Sequence, residues 1–504
     1  MKPINNFLIF IFLILTFSSC GDDFLSLSSK DTVTESAFFI TQEDAYSALA
    51  GVYATLQNEA TFTNVRNAAD IEWAITGDLY EMDRSANRIE LHSLRFPASN
   101  TILRDIYQNS YLGISRANVV VDKISKSPIS QETKDQIIGQ ALSIRGLYYY
   151  NLVHFFGGVP LITTPLSASD DLQLPRNSAE EVWDQVEKDM IDASSLLPIK
   201  WDNDIDKGRV TKTSAWGFLV KAFLWREKWD DAIIYSEKIV SSGQHSLIET
   251  GFRDIFREEN ENNAEMVFST QFSTLQGEQN NLVARTAPRG APSKYTGPAA
   301  WSNFVPNRHW VNAMEKNTDN TIKDDRYSVI LSPTEIHPEN GYQLPDVHPA
   351  GMTKTGYIVT KYWFMPPIQN SGINAPILRY SEVLLNYAEA LNEKGKSDDA
   401  MRLVNQVRIR AKLEPKSVNL SKELVLDAIF EERRFEFIWE PTGGFNDLNR
   451  RGRFIEFIKK NRPDFLELGI DAKPWLHTKP ILFPIPTEAW TKNRALVQNP
   501  HYTF

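Results

Sequence analysis

The sequence predicts a mainly α-helical protein: a tetratricopeptide-like helical scaffold interrupted by a loop-rich excursion, the expected ligand-binding part. Three observations predict it. Apolar residues recur at helical spacing along most of the chain beyond residue 41. Two stretches, about 213–242 and 379–412, repeat one helix-turn-helix pattern of roughly tetratricopeptide length. Between them, over about 251–376, the period fades into Pro, Gly, Asn and aromatic residues. That is the texture of long loops, and loops carry function more often than scaffold does.

The chain opens with Lys2, an apolar run from Phe7 to Phe17, and Ser18-Ser19 before Cys20. That order reads as a secretory signal over 1–19. The run is shorter than the roughly 20 residues a membrane-crossing helix needs, so cleavage is expected rather than a permanent span. A lone cysteine at the cleavage point resembles the lipobox of bacterial lipoproteins, and that resemblance implies acylation of Cys20, with 20–40 as lipid anchor and tether. One acyl chain, at ~0.8 kcal/mol per buried methylene, binds a membrane marginally, whereas several hold firmly. Beyond Cys20 no thiol remains for a disulfide or a cysteine-ligated metal. With 42% hydrophobic residues over 504 positions, burial can supply a large core, read as one domain over 41–504. The net charge of -10 repels a phosphate backbone, and no basic stripe alternates with stacking aromatics, so nucleic acid is not expected as a partner.

Helix signals follow in order. Thr41 caps a helix whose apolar residues Ala45, Leu49, Val52, Tyr53 and Leu56 share one face. A second helix is expected near Ile102–Ile124, and a third over Ala141–Phe156, stopped by Gly157-Gly158-Val159-Pro160. Ser178 and Glu181 make a capping box ahead of Val182, Val186, Met190 and Ala193, and Pro198 closes that helix. In the first repeat, Ala215, Phe218, Leu219, Ala222 and Phe223 form a stripe, Trp229-Asp230 turns the chain, and Ala232, Ile233, Ser236 and Val240 continue it. In the second, Val383, Leu384, Tyr387, Ala388 and Leu391 lead to Gly395, and Ser397 caps a helix bearing Ala400, Leu403, Val404 and Val407. Leu424, Ile429, Phe430, Arg433 and Phe437 mark the last long helix, and prolines keep the chain extended from Leu482 onward.

Taken in order, several segments resemble one family. They are Cys20 with Asp22-Asp23-Phe24-Leu25, Ala141 to Arg145 through Tyr148-Tyr149-Tyr150 to Leu161, and Gly208-Arg209-Val210-Thr211-Lys212. Arg379 to Leu385 with Ala388-Glu389-Ala390, Asn405 to Arg410, Glu431 to Glu436, Phe483-Pro484-Ile485-Pro486 and Gln498-Asn499-Pro500 complete the set. Together they resemble the SusD/RagB-like outer-membrane lipoproteins of glycan-uptake systems in Bacteroidetes. The resemblance implies a surface lipoprotein, sent outward by a signal like Gly21-Asp22-Asp23, that sits on a SusC-type TonB-dependent transporter. It also implies capture of a polysaccharide or oligosaccharide and delivery by lid closure without catalysis. Pro441-Thr442-Gly443-Gly444-Phe445 departs from the family's shorter link ahead of Asp447-Leu448.

Sugar recognition needs flat apolar faces for the ring C–H surface and planar hydrogen-bonding groups for the hydroxyls. The candidates fall in two places: Asn67, Asp70, Trp73, Asp78 and Tyr80 early on, and Tyr295, Trp301, Asn303, Arg308 and Trp310 in the excursion, with Tyr342 and Trp363 behind them. Trp301 leads, because Pro298, Ala299, Ala300, Ser302 and Asn303 surround it without helical period, and Trp73 follows. Any one of these aromatics is more often core, and an exposed acid is usually only solvated. Arg285, Arg289, Lys294 and Arg308 suggest either an anionic ligand or a solvated basic loop, the second being the simpler reading. Arg145, Glu382, Glu389, Glu432, Arg433 and Arg434 read as charges that brace helix against helix, and Asp324-Asp325-Arg326 as a salt-bridged turn. With 64 acidic residues any glycosidase pair can be nominated, and no metalloprotease, nucleophile-elbow or phosphate-loop motif appears. No cofactor is called for. The alternatives to a glycan lid are a tetratricopeptide-like scaffold for protein partners and, behind it, a polysaccharide hydrolase.

Overall fold

Capping chemistry sets where the helices begin. Helix α1 (Gln42–Tyr53) starts at Thr41, whose hydroxyl accepts from the Asp44 N–H while the Asp44 carboxylate accepts from the Thr41 N–H. Two of the N–H groups that a helix start leaves open are thereby satisfied. The computed structural model describes residues 39–58, 70–81, 85–167, 169–275, 277–288, 290–296, 300, 304–333, 335–345, 356–364 and 371–504. The expected signal segment, Cys20 and nearly all of the expected tether lie outside them.

A π-helical turn over Asp70–Ala74 leads to β1 (Leu79–Glu81) and α2 (Ala86–His92). Then come α3 (Thr101–Lys126), α4 (Gln131–Phe156), α5 (Ala179–Leu196), α6 (Lys212–Trp225) and α7 (Trp229–Ser241). Helix α4 begins at Gln131 rather than near Ala141, because Ser130 caps it and its first turns are polar. From Gly139 to Phe156 every residue of α4 is buried, so this central helix shows no one-sided period. Gly113 of α3 lets the two helices approach: a Cβ there would lie 1.9 Å from the Tyr148 ring. The Ser178–Glu181 capping box of α5 is present.

Each helix from α3 to α7 packs on the next. The excursion then departs and returns through β2 (Met266–Thr270), with α8 (Leu282–Thr286), α9 (Ser293–Thr296), β3 (Phe304–Pro306), α10 (Arg308–Asn312), β4 (Ile330–Leu331), β5 (Ile358–Val359) and β6 (Ala375–Arg379). Its neck is closed by antiparallel pairing of β2 with β6, Met266 opposite Arg379 and Thr270 opposite Ala375. The helical stack resumes as though uninterrupted, because α11 (Tyr380–Glu393) packs on α7. Helices α12 (Ser397–Arg410) and α13 (Lys422–Glu436) extend it, followed by α14 (Phe445–Arg450), α15 (Phe454–Asn461) and α16 (Thr487–Lys492). The repeated pairs are thus α6/α7 and α11/α12.

Three local expectations are corrected. Trp229 opens α7, and the turn lies just before it at Glu227, whose φ of 54° reverses the chain. Ser397 is the first residue of α12 and caps nothing; its hydroxyl donates to Asn392 Oδ1. The tail is interrupted after Pro486 by α16, since a proline at a helix start forfeits no hydrogen bond, and is irregular again beyond Lys492.

The bracing charges are paired as expected. Arg145 meets Asp189 at 2.6 Å, Glu382 meets Lys221 at 2.7 Å, Arg450 meets Glu389 at 2.5 Å and Arg433 meets Asp447 at 2.6 Å. Asp324 accepts from the Arg326 N–H and pairs with its guanidinium at 2.6 Å, while Asp325 pairs with Lys412 at 2.5 Å. Arg326 also reaches Glu432 of α13 at 2.5 Å, tying the excursion to the scaffold. Arg379, at the end of β6, is enclosed by Glu265, Glu436 and Glu440 and so locks the neck. Removing one partner of such a buried set leaves an uncompensated charge, at roughly 3–5 kcal/mol.

Candidate functional site

The two candidate stretches lie far apart in sequence, and β1 and β3 bring them together. The strands pair antiparallel, Leu79 opposite Pro306, Tyr80 opposite Val305 and Glu81 opposite Phe304. Leu79 and Val305 are buried and anchor the pair to the core. Asn307 continues it by donating its N–H to Asp78 O at 2.8 Å. Tyr80 therefore sits on a strand whose partner directly follows Trp301, Ser302 and Asn303 in the chain. Trp301, Asn303 and Asn67 lie outside the described residues, and of Asp70 and Tyr80 only the backbone placement is described.

Several candidates prove to be scaffold. Trp73, Trp310 and Trp363 are each 0% exposed and offer no open face to a sugar. Their indole N–H groups donate to the backbone carbonyls of Glu440, Arg434 and Tyr295. Such partners lie far along the chain, so no local pattern announces them. Asp78 is corrected for the same reason: its carboxylate accepts from Arg434 Nε at 2.8 Å and lies 3.1 Å from His309 Nε2. Burial alone would raise its pKa, but the Arg434 guanidinium and the His309 ring outweigh burial and hold it below the usual carboxylate value. Arg285 is also buried, donating to Asn281 Oδ1, so it belongs to no solvated basic loop.

Tyr295, Tyr342 and Trp363 form one aromatic cluster. Tyr342 packs edge-on to both neighbours, with ring centroids at 5.3 Å and 5.6 Å. Tyr342 is buried and Tyr295 half-buried, with the Lys294 ammonium 4.5 Å from the Tyr295 ring centre. Arg308, at the start of α10, is exposed. Beneath the cluster lies a support the sequence did not announce. Arg253 donates to Ser328 O, Thr360 Oγ1 and Trp363 O and approaches His337 Nε2 at 2.9 Å. Burial and the Arg253 charge press the His337 pKa down to about 3, so this imidazole is neutral at physiological pH. Phe364, half-buried with the Arg253 guanidinium 4.9 Å from its ring centre, is a further aromatic missed in the sequence.

The site thus combines a two-stranded β1–β3 platform, a half-exposed tyrosine and a fixed aromatic and guanidinium underlayer. Its described chemistry suits stacking and hydrogen bonding. The carboxylates of Asp78 and Asp324 are held in ion pairs, and among the described residues no group of three His, Cys, Asp or Glu could hold a metal ion. No helix among the described residues is long and apolar enough to cross a membrane.

Comparisons with known proteins agree across most of the chain. The family model described as "SusD family" matches residues 336–502, and the one described as "Starch-binding associating with outer membrane" matches residues 23–224. SusD-like protein P25 of Formosa agariphila is 24% identical, over 98% of this chain and 98% of its own. Among solved structures, a SusD superfamily protein from Bacteroides vulgatus superposes with a TM-score of 0.77 at 24% identity, covering 92% of this chain and 99% of that one. A laminarin binding SusD-like protein superposes with a TM-score of 0.73 at 23% identity, covering 92% and 100%. At these identities the superpositions establish the fold.

Proposed function

The chain belongs to the SusD-like family, and from that premise we propose that it is a surface glycan-binding lipoprotein that delivers polysaccharide or oligosaccharide to a TonB-dependent outer-membrane transporter of the SusC type. The observation that carries this reading is the β1–β3 pair. It joins the early stretch to the excursion, pairing the strand of Tyr80 with the strand that follows Trp301 in the chain, and Tyr295 with its aromatic cluster belongs to the same excursion. The names of the similar proteins support a carbohydrate ligand: one family model is described as starch-binding, and one similar structure binds laminarin.

In this reading Trp301 and Tyr80 supply faces for the ring C–H surface, while Asn303, Asp70 and Arg308 serve the hydroxyls. The helical stack is the rigid body that swings. Acylated Cys20 keeps the protein at its transporter, so that closure over the barrel carries the captured chain inward. No bond is broken in the glycan.

Titrating the protein with laminarin, soluble starch and xylan while following intrinsic tryptophan fluorescence tests the reading. Binding of at least one polymer is expected, with Trp301→Ala weakening it about tenfold or more and leaving the melting temperature unchanged. Silence across the panel, together with retained retrieval by immobilised transporter, would favour a purely protein-binding scaffold. Reducing ends accumulating with time from the bound polymer would instead make the protein a hydrolase.

A further inference from the structure

A second cleft opens one helix away from the β1–β3 platform. Helix α2 packs on β1, and its residue Glu90 lines a cavity of about 610 Å³ that continues along Arg95 to Ser99 and is closed by Trp475 and the segment His501–Phe504. A volume of this order accommodates a small-molecule ligand or a few sugar rings.

Its aromatic walls are held in place while remaining accessible. Trp475, Tyr502 and Phe504 are all half-buried. The Trp475 indole N–H donates to Leu94 O at 3.3 Å and the Tyr502 hydroxyl to Leu482 O at 3.0 Å, so their polar tips are tied down and their ring planes set. Trp475 and Tyr502 lie 5.8 Å apart at 32°. Phe504 stacks on Trp490 at 4.9 Å and 13°, and the Arg494 guanidinium covers Trp490 at 3.6 Å. Two non-glycine residues in the left-handed region flank the lining: Leu94 at φ 56°, buried just before Arg95, and His501 at φ 71°, itself part of the wall. Backbone of this kind persists only where its surroundings over-determine it, and it concentrates at ligand clamps. Glu90, Arg95 and His501 supply planar hydrogen-bonding groups of both charge signs, so the lining favours neither an anion nor a cation.

Flat, fixed aromatic faces interleaved with planar polar groups are the chemistry of sugar recognition. We infer that this cleft is a second contact for an uncharged glycan chain, engaging the polymer beyond the portion held at the β1–β3 platform. The inference rests on the glycan-binding reading above. It adds a ligand class to that reading: a polymer spanning both places, bound more tightly than its own short fragments.

Calorimetric titration of the full chain separates the two. The probes are laminarin, soluble starch and xylan, each alongside short oligosaccharides cut from it. Phe504→Ala is the milder variant, since Phe504 belongs to no helix or strand, and Trp475→Ala the stronger one. Both are expected to bind the polymer about five- to tenfold more weakly while binding the short oligosaccharide as the wild type does, with the melting temperature of Phe504→Ala unchanged. Unaltered polymer affinity in Phe504→Ala overturns the second contact alone, as does an equal loss for polymer and fragment. A wild-type protein that binds none of the polymers removes the glycan-binding reading itself, and this inference with it.

Discussion

Arg433 shows how the chain spends its buried charge. It is enclosed in α13, donating through Nε and Nη2 to Asp447 at 2.8 and 2.6 Å and through Nη1 to Asn386 at 2.8 Å. Burial opposes ionisation of Asp447, but Arg433 and Arg450 outweigh it and keep the carboxyl well below its ordinary range. Arg433→Ala would leave that carboxylate to Arg450 and the Gly443 N–H alone, strip Asn386 of a donor and empty the buried space the side chain fills, a loss of about 3 kcal/mol. The melting temperature should drop sharply while the glycan affinity of the remaining folded protein stays put; a selective loss of binding at unchanged melting temperature would overturn a bracing role. That role was legible in sequence, because a charged residue on the apolar period of a helix demands a partner. The burial of Trp73, Trp310 and Trp363 was not. Their carbonyl partners sit as many as several hundred positions away, and an indole in an aperiodic stretch looks the same whether it faces solvent or core. Trp310→Ala is therefore expected to destabilise, by roughly 3–5 kcal/mol in urea unfolding, where Trp301→Ala leaves stability alone.

Among elements, the α3–α4 crossing is where a single methyl group has most leverage. The Cβ of alanine at Gly113 would fall inside the Tyr148 ring, whose hydroxyl in turn shares a hydrogen bond with Thr55 at 2.7 Å. The ring has no simple retreat. Gly113→Ala is expected to cost about 1–3 kcal/mol or more by forcing the helices apart. Gly51, on α1, has nothing within 4 Å of its would-be Cβ, so Gly51→Ala should instead stabilise by up to about 1 kcal/mol through the unfolded state. Opposite signs in chemical denaturation would confirm that packing, and not helix propensity, decides the first case; equal signs would refute it. The helices themselves were readable from capping residues and apolar period. Helix α4 was only half readable, since a helix buried on all sides carries no stripe to locate its start. The three-residue β1 and β3 were unreadable: strands so short have no measurable alternation, and their pairing depends on residues more than two hundred positions apart.

At the scale of the whole molecule, the helical stack reads as continuous across the excursion because α7 and α11 touch and β2 and β6 seal its neck. The sequence marked the excursion by its loss of period, but the closure came from Arg379 and its three carboxylates, a long-range set that no local pattern announces. Burying so many ionisable groups also gives folding stability a defined pH profile. Burial, aided by Arg462 at His92, Lys221 at His154 and Arg253 at His337, lowers these imidazoles from 6.5 to about 4, 3 and 3. Between those values and 6.5 the unfolded chain binds more protons, so the stability they contribute is complete above pH 6.5 and is lost as pH falls. Glu72 acts in the opposite sense. Burial and the neighbouring Asp447 raise it from 4.5 to about 8, and burial with Glu258 raises Glu261 from 4.5 to about 7. Each keeps its proton in the folded state after the unfolded chain has released it, so stability declines as pH climbs from 4.5 to those values. Below pH 6.5 the three histidines outnumber the two acids; above it the acids act without them. Melting temperatures measured from pH 4 to 8.5 at constant ionic strength should therefore peak near pH 6.5. Glu72→Gln, which keeps the acceptor for the Gly444 and Asn446 N–H groups without a titrating proton, should flatten the decline on the alkaline side and leave the acid limb in place. A melting temperature that rises steadily through pH 8 in the wild type would show that Glu72 is ionised in the folded protein.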